Sequence, residues 1–596
     1  MSHALQYRVE LADPSGHLLR VRLTIADPDP QGQRLSLPAW IPGSYMIRDF
    51  ARNIVALEAR SGGRRLAVVK LDKHSWRCAP GRPGAPLEIE CEIYAWDLSV
   101  RAAHFDHSHA FFNGTSVFLR AHGHEQRICL VDLVAPSWRG AEDWRVATAL
   151  AEAKGWPGAA KRHGFGCYLA ADYDELIDHP VEIGTFSRAS FKAGGVSHEV
   201  IVTGRHDADL KRLGADLARV CEWQITLFGK PAPMKRYLFL TMVVGDGYGG
   251  LEHQASTALL ASRNDLPHAA MDKPTEGYRR FLGLCSHEYF HSWNVKRIRP
   301  AAFTPYDLSR EVHTSLLWAF EGITSYYDDL ALVRSGVLAP GDYLEQLGRT
   351  IAGVVRGPGR LRQSLADSSF DAWTKYYRQD ENAPNAIVSY YTKGALVALA
   401  TDLQLRTASD GASSLDDVMR LLWRRHGDGA AGVTEGGVFD VVAEIGGDGL
   451  ARWLRKAVEG TGDLPLKRLF KPFGIQLTEE PEELPSLGVR LAPGIADARL
   501  ASVINGGAAH RAGLSAGDEL VAIDGLRVGR ETLDGHLRRR LPGDRLRVEA
   551  FRRDELRSFE VVLDPPALKT VRLKSRSGAT GAQRRLQAGW LGSRAD

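Results

Sequence analysis

The stretch H-E-Y-F-H-S-W-N, residues 287–294, lies in a run of helically spaced apolar residues that begins near Glu276. Residues four apart share one face of a helix, so the imidazoles of His287 and His291 can point at a single metal ion. Glu288 cannot comfortably bind the same ion, but it can reach a water on it. The spacing predicts a zinc site with Glu288 as general base. The alternative is a helix with two exposed histidines.

A third protein ligand is expected, because catalytic zinc sites usually have three and keep one position open. Two downstream carboxylates compete for this role: Glu311, 20 residues past His291, and Glu321, 30 residues past it. Spacing cannot choose between them, but their surroundings can. Glu321 lies in the apolar stretch L-L-W-A-F-E-G-I-T-S-Y, where an unpartnered carboxylate is costly to bury. Glu311 lies in the charged S-R-E-V-H and can stay solvated, so we expect Glu321 to be the ligand.

The chain around this motif is too long, at 596 residues, for a single hydrophobic core. Residues 1–195 are β-rich in pattern, with short runs separated by Gly, Pro and Asp. Residues 196–477 are mainly helical and contain the metal motif. A Pro- and Glu-rich linker at 478–486 leads to a second region of short strands at 484–566. The basic tail at 567–596 is expected to be loose, with Trp590 and Leu591 as docking candidates. The expected fold is a multidomain α+β protein.

Composition narrows the function class further. A formal charge of +4, from 76 basic and 72 acidic residues, gives no reason to expect a nucleic-acid partner. No segment reaches the roughly 18 unbroken apolar residues of a membrane span, and no signal peptide is evident. The six cysteines are few and scattered, which favours a cytoplasmic protein with free thiols. None forms a CxxC pair, so a cysteine zinc site is not expected.

The motifs resemble a known group. HEYFHSWN followed by LWAFEGITSY resembles the gluzincin pattern of the M1-type aminopeptidases, although the gap between the two motifs is longer here. The layout is more similar to the glycyl aminopeptidase family, peptidase family M61, and the segments PAWIPGSYMIRDFARN (38–53) and FFNGTS (111–116) resemble its N-terminal hallmarks. The resemblance implies a β-rich N-terminal domain, a thermolysin-like catalytic domain, a C-terminal PDZ domain and one Zn²⁺ per chain. It also implies that Glu321 is the third ligand.

Two further segments gain a role from this resemblance. Gly249-Gly250-Leu251-Glu252-His253 resembles the GAMEN segment, whose glutamate binds the α-ammonium group of the substrate, with His253 in place of the usual asparagine. It follows the apolar run Tyr237–Val244, to whose edge a substrate peptide could add itself as a strand. The alternative for Glu252 is a structural loop carboxylate.

The segment SYYTKGALV, residues 389–397, resembles the S-Y-x-K-G segment, whose tyrosine stabilises the oxyanion. The register of that segment selects Tyr391 over Tyr390. On sequence alone, a tyrosine pair at the start of a helix is more often a packing feature, so the role rests on the matched register.

The region 484–566 resembles a PDZ domain through the pattern AGL-x-x-GD-x-L-x-x-I-x-G that starts at Ala512. Its Leu487-Gly488-Val489 lies where the carboxylate-binding loop would be. A PDZ domain here could bind a C-terminal peptide or only pack on the catalytic domain.

Weaker signals come from His104, His107 and His109, which could form a second metal site but fit structural roles better. Cys285, near the metal motif, is expected to be a small buried helix residue rather than a nucleophile.

Three functions follow from these residues. The first is a zinc aminopeptidase that removes N-terminal Gly or Ala from peptides. The second is a zinc endopeptidase with the same metal site. The third is a non-catalytic scaffold built around the PDZ domain.

Overall fold

A computed structural model describes residues 4–494 and 496–592. The described chain divides into two compact units. One comprises residues up to Val312, with the short segments Ser335–Val337 and Trp423–Gly432. The other comprises His313–Arg334, Leu338–Leu422 and the residues from Val433 onward. None of the described helices combines the length and hydropathy of a membrane span.

The first unit begins with the expected β-rich region. Alternation drives its strands: in Leu18–Ile25 every second side chain is buried, and these positions lie opposite buried positions of Leu87–Tyr94, with Leu23 facing Ile89. One eight-stranded sheet has the order β14-β15-β12-β1-β2-β8-β4-β5, and two four-stranded sheets have the orders β13-β16-β10-β9 and β11-β3-β7-β6. The elements are β1 (Leu5–Asp13), β2 (Leu18–Ile25), β3 (Arg34–Ser36), β4 (Ile54–Ser61), β5 (Arg64–Leu66), β6 (Val68–Lys70), β7 (Ser75–Cys78), β8 (Leu87–Tyr94), β9 (Ala103–Phe105), β10 (His109–Phe112), β11 (Arg120–Ala121), β12 (Cys129–Leu133), β13 (Arg145–Thr148), β14 (Ala151–Glu152), β15 (Gly166–Ala170), α1 (Tyr173–Ile177) and β16 (Val181–Gly184).

A five-stranded mixed sheet follows, with the order β17-β18-β19-β21-β20. It begins at Phe186, ahead of the expected boundary at 195. Its central strands are almost continuously buried, as expected of strands with both faces covered. The apolar run at 237–244 was expected to offer an edge, which is wrong: it lies between two neighbours, and β20 is the edge strand. The elements are β17 (Phe186–Ala193), β18 (Val196–Thr203), α2 (Leu210–Phe228), β19 (Arg236–Val244), β20 (Tyr248–Glu252), β21 (Ser256–Ser262) and α3 (Glu276–Phe290).

The second unit contains most of the expected helices. One π-helical turn, at Trp318–Gly322, leads into α4, and a second π-helical turn lies at Ala372–Tyr376. The longest helix is interrupted at Gly447, whose φ is 81°. The helices are α4 (Ile323–Arg334), α5 (Pro340–Arg356), α6 (Leu365–Phe370), α7 (Ala383–Ala386), α8 (Thr392–Ala408), α9 (Leu415–His426, which runs into the first unit), α10 (Gly437–Glu459) and α11 (Leu466–Phe470).

The C-terminal part has the expected PDZ-like fold around its own core, which includes Leu500, Leu520 and Val548. Its strand order is β23-β24-β25-β27-β28, with β26 paired to β25. The elements are β22 (Ile475–Pro481), β23 (Val489–Leu491), β24 (Ala498–Val503), α12 (Ala508–Ala512), β25 (Glu519–Ile523), β26 (Leu526–Arg527), α13 (Leu533–Leu537), β27 (Arg545–Arg552), β28 (Glu555–Val562), β29 (Leu568–Ser575) and α14 (Gly581–Leu591).

The tail at 567–596 is not loose over its described residues, contrary to expectation; residues 593–596 lie outside them. Strand β29 pairs with β22, which extends into the predicted linker. Helix α14 starts with a capping box between Thr580 and Gln583. Trp590 is fully buried: its Nε1 donates to the Tyr326 hydroxyl at 2.9 Å, and its carbonyl accepts from Arg334 at 2.8 Å. The basic residues therefore flank an apolar anchor.

Candidate active site

Helix α3 carries the H-E-x-x-H motif at its C-terminal end. It begins at the N-cap Thr275, whose hydroxyl accepts from the Tyr278 N–H at 3.1 Å. The His287 and His291 rings lie one turn apart, with centroids 4.6 Å from each other and planes at 87°. His291 is 1% exposed and occupies the C-cap. The helix thus brings both imidazoles to one place, as the spacing predicts.

The backbone after α3 orients the second histidine. His291 Nδ1 lies 2.7 Å from the Asn294 carbonyl oxygen, which can only accept, so Nδ1 carries the proton and Nε2 remains for a ligand role. The turn that follows contains Val295 at φ 112°, a conformation that a β-branched residue rarely adopts. Such strain persists only where the surrounding contacts fix it, and it occurs often near functional sites.

Glu321 lies in the π-helical turn Trp318–Gly322 and is 2% exposed. Turns of this kind are rare and often occur at functional sites. One ligand atom from each of His287, His291 and Glu321 lies within 4.8 Å of the others. Two imidazoles and a carboxylate are a donor set that suits zinc. Glu311, the rival candidate, is in neither of the two potential metal-binding groups found among the described residues.

Close packing explains why a glycine, Gly322, follows Glu321. A Cβ on Gly322 would lie 2.6 Å from the Gly394 Cα and 2.8 Å from the Tyr390 carbonyl oxygen. The two glycines, from the E-G and K-G pairs of separate motifs, therefore meet at one backbone contact. This contact places the turn that carries Glu321 against the N-terminus of α8.

Edge strand β20 carries the candidate amine anchor. Glu252 is 4% exposed, and one ligand atom from each of Glu252, Glu288 and His291 lies within 4.8 Å of the others. Within the described residues, no hydrogen-bond partner faces Glu252 Oε1. A Cβ on Gly250 would lie 2.6 Å from the Glu288 Cδ, so any side chain here would displace the Glu288 carboxylate, whereas Gly249 has no comparably close neighbour.

The segment at 38–53, one of the N-terminal hallmarks, approaches the carboxylate of Glu252. Gly43 has a φ of 92°, and a Cβ there would lie 2.6 Å from the Glu252 Cδ. Trp40 and Tyr45, on either side of it, are buried: Tyr45 stacks on Phe303 with centroids 5.8 Å apart, and the Trp40 ring lies tilted 6.2 Å from the same ring. The approach of Gly43 to Glu252 is a contact that sequence analysis missed, because it joins residues 209 positions apart.

The two candidate tyrosines differ in exposure. Tyr390 is fully buried, and burial raises the pKa of its hydroxyl well above the usual range. Tyr391 is partly exposed at the N-cap of α8. Their rings stack with centroids 4.6 Å apart, and the Tyr376 ring lies 5.6 Å from that of Tyr391. The stack fixes the direction of the Tyr391 ring, and its partial exposure leaves it accessible to a substrate.

The weaker candidates have structural surroundings. His109 Nδ1 lies 3.1 Å from the Glu182 carboxylate, and the His104 and His109 rings stack at 4.9 Å. The exposed His107 is 3.0 Å from the Ser15 hydroxyl. Neither potential metal group among the described residues includes these histidines. Cys285 is buried, and burial raises the pKa of its thiol well above the usual range, which disfavours a nucleophile.

The PDZ-like part presents an edge strand, β23, beside Leu487-Gly488-Val489. Gly488 has a φ of 72° and packs against Gly507, whose Cα a Cβ on Gly488 would approach to 3.1 Å. The Gly488 carbonyl accepts from the Ile504 N–H at 2.8 Å. In the described part of the chain β23 pairs only with β24, so its other edge is open to a peptide strand.

Comparisons with known proteins agree with this organisation. Three family models match: "Peptidase M61 N-terminal domain" at residues 6–185, "M61 glycyl aminopeptidase" at 280–397 and "PDZ domain" at 485–563. A comparison with curated proteins returned no match.

Among solved structures, an aminopeptidase N family protein from Idiomarina loihiensis is 41% identical, with a TM-score of 0.92 over 98% of this chain and 100% of the other. An M1 zinc metallopeptidase from Deinococcus radiodurans, in a mutant form bound to Tyr-Ser-Ala, is 15% identical, with a TM-score of 0.48 over 78% of this chain and 95% of the other; a likeness this remote carries no weight here. The three family models and the 41% identity lead to one conclusion: the chain belongs to the M61 glycyl aminopeptidase family and is a zinc metallopeptidase.

Proposed function

We propose that this zinc metallopeptidase is an aminopeptidase that removes N-terminal residues, Gly or Ala, from peptides. The observation that carries the proposal is the buried carboxylate of Glu252, clustered with Glu288 and His291 at the end of an edge strand. A fixed anion there would bind the free α-ammonium group of a substrate and select peptides by their N-terminus. The preference for Gly and Ala rests on the description of the family as glycyl aminopeptidases.

One zinc ion per chain would be held by His287, His291 and Glu321. The close approach of their ligand atoms and the backbone contact that orients His291 both support this assignment. When bound, zinc supplies Lewis acidity, which polarises a carbonyl oxygen and lowers the pKa of water.

Glu288 would act as general base and then as general acid. Its carboxylate would take a proton from the attacking water and give it to the amine that leaves. The close approach of its side chain to Gly250 supports this role, because that contact restricts where the carboxylate can lie relative to the edge strand.

The Tyr391 hydroxyl would donate a hydrogen bond to the oxyanion that develops on the scissile carbonyl. A donor of this kind contributes about 3 kcal/mol to transition-state stabilisation. Partial exposure together with the ring stack supports Tyr391 over the buried Tyr390.

The substrate chain would add to the open side of β20 by backbone hydrogen bonds. In that arrangement the peptide runs along the strand and its N-terminus stops at Glu252. The PDZ-like part would bind a peptide C-terminus at Leu487-Gly488-Val489, for which the open edge of β23 is the support. The six free cysteines support a cytoplasmic location for the enzyme.

The test of the aminopeptidase is a panel of amino-acid arylamides, each free and N-acetylated, with and without a chelator. We expect cleavage of the free Gly and Ala substrates only, and loss of cleavage with the chelator. Glu252→Gln should reduce the preference for the free amine at least tenfold, whereas Asp246→Asn, an exposed carboxylate before the same strand, should not. Equal cleavage of the blocked substrates by the wild type would instead indicate an endopeptidase, and a protein that is inert with zinc would indicate a scaffold.

A further inference from the structure

Asp178, at the C-terminal end of α1, uses both carboxylate oxygens to join separate parts of the first unit. Oδ2 accepts from the Gln254 backbone N–H at 2.8 Å. Oδ1 accepts from the Lys296 ammonium group at 2.6 Å and lies 3.4 Å from His253 Nδ1. The Asp178 side chain is 12% exposed, that of Lys296 4% and that of His253 2%, so the cluster is largely shielded from water.

The first of these parts is the turn between β20 and β21. Glu252 is the last residue of β20, and the turn begins with the next residue, His253, whose N–H donates to the Ser256 carbonyl at 3.0 Å. Only one residue separates the proposed amine anchor from the N–H that Asp178 holds. Fixing that N–H fixes where the strand ends, and therefore where the Glu252 carboxylate lies.

The second part is the strained turn after α3. The Lys296 N–H donates to the His291 carbonyl at 3.0 Å, and Lys296 follows Val295, the residue at φ 112°. The unusual backbone at Val295 directs the Lys296 side chain inward to Asp178. The same turn supplies the Asn294 carbonyl that orients the His291 ring. Asp178 therefore contacts the turn that follows Glu252, the proposed amine anchor, and also the turn that orients His291, a proposed metal ligand.

The buried Asp178–Lys296 pair is not explained by a gain in folding stability. Removing two charges from water costs about as much as their attraction returns, so such pairs are often replaceable by apolar residues without loss. Burial alone would raise the pKa of Asp178, but the charge of Lys296 and the contact with His253 lower it well below the usual range, so the carboxylate is ionised at neutral pH. What the pair adds is a directional link between two loops that are 42 residues apart in sequence.

We propose that Asp178 is a positioning residue that fixes the separation between Glu252 and His291, and with it the requirement for a free N-terminus. The inference rests on the proposed role of Glu252. An aminopeptidase must hold the α-ammonium group and the scissile carbonyl of one and the same N-terminal residue, and a residue spans only about 3.3–3.6 Å of extended chain. A shift of about 1 Å between the anchor and the metal ligands is enough to cost up to 100-fold in rate.

The test is Asp178→Asn in the full chain, with Asp174→Asn, an exposed carboxylate on the same short helix, as the matched control. We expect Asp178→Asn to retain stoichiometric zinc and to lose about 10- to 100-fold in kcat/KM on alanine arylamide. Its preference for the free over the N-acetylated substrate should fall at least tenfold. The affinity for alanine amide, measured by calorimetry against its N-acetyl form, should fall in parallel. The control should match the wild type in all four readouts.

A purely structural role predicts a different result, in which activity on both substrates falls in proportion to the folded fraction and the preference is unchanged. The double variant Asp178→Asn/Lys296→Met covers the case in which the single variant is unstable, because it leaves no unpaired buried charge. We expect it to be as stable as the wild type and still to lose the preference. A stable double variant with wild-type preference would overturn the inference.

Glu252→Gln in parallel separates this inference from the proposed function. If Glu252→Gln loses the preference and the Asp178 variants keep it, the positioning role is wrong while the aminopeptidase assignment stands. If Glu252→Gln keeps the preference, the proposed role of Glu252 fails, and the inference fails with it.

Discussion

Substitution of Gly322 by alanine tests the backbone contact that sets the position of Glu321. A Cβ there would lie 2.6 Å from the Gly394 Cα, whereas two carbon atoms normally approach to about 3.5–4.0 Å. The neighbours are backbone atoms that no rotamer change can move aside, so the turn and α8 must separate by about 1 Å. We expect overpacking to lower the free energy of unfolding by about 1–3 kcal/mol, partly offset by up to about 1 kcal/mol from the better helix propensity of alanine.

The larger effect is on the site. Displacement of Glu321 from the two histidines with which it is proposed to hold zinc should weaken zinc binding about 10- to 100-fold, as loss of a supporting contact typically does, and should lower turnover by a similar factor. Zinc affinity is measured by competition with a chromophoric chelator, and turnover on alanine arylamide. Gly353→Ala, an exposed glycine inside α5 with no atom within 4 Å of the added Cβ, is the matched control and should be neutral or slightly stabilising. If Gly322→Ala binds zinc and turns over within twofold of the wild type, the reasoning is wrong.

Three further predictions concern separate features. Glu288→Gln should keep zinc, by metal analysis, and lose turnover by about 10³-fold or more, because proton transfer is removed; nearly normal turnover would contradict its role as base. Trp590→Ala should destabilise the second unit by about 3–5 kcal/mol, because the indole is fully buried. The loss should appear as a lower midpoint of urea unfolding, and an unchanged midpoint would show that the tail does not stabilise this unit. Burial alone would lower the pKa of His109, but the ion pair with Glu182 outweighs it and raises the pKa, so the stability that the pair contributes is complete below about pH 6.5 and is lost as pH rises through the raised value. The free energies of unfolding of the wild type and Glu182→Gln, measured by denaturation, should therefore differ most at low pH and converge as pH rises. A difference that grows with pH would contradict this pH dependence.

Much of the fold could be predicted because its signals are local. The H-E-x-x-H pattern lies on a helix whose start is marked by Thr275, and alternation in Leu18–Ile25 predicts a strand from one segment alone. The choice of Glu321 over Glu311 as the expected ligand also used local information, namely the cost of burying a carboxylate in an apolar stretch.

The remaining features depend on contacts between distant residues. Strand order decides which strand is the edge, and the run Tyr237–Val244 looks the same in sequence whether it lies inside a sheet or at its side. The π-helical turn at Glu321 packs against Gly394, the Glu252 carboxylate lies against Gly43, and the turn after Glu252 is held by a hydrogen bond to Asp178. The basic composition of the tail predicted a loose segment, but the docking candidates Trp590 and Leu591 are both buried and outweigh their polar surroundings.

The docking of Trp590 has a consequence for biosynthesis. Its indole donates to Tyr326, five residues past Glu321, and Tyr326 in turn donates to Asp402 at 2.6 Å. The helix that follows the proposed metal ligand is thus completed by residues that a ribosome synthesises more than 260 positions later. A nascent chain cannot assemble this part until α14 has emerged from the exit tunnel. In a newly made molecule, the hydrogen-bonded surroundings of this helix are therefore completed only after the tail has been synthesised.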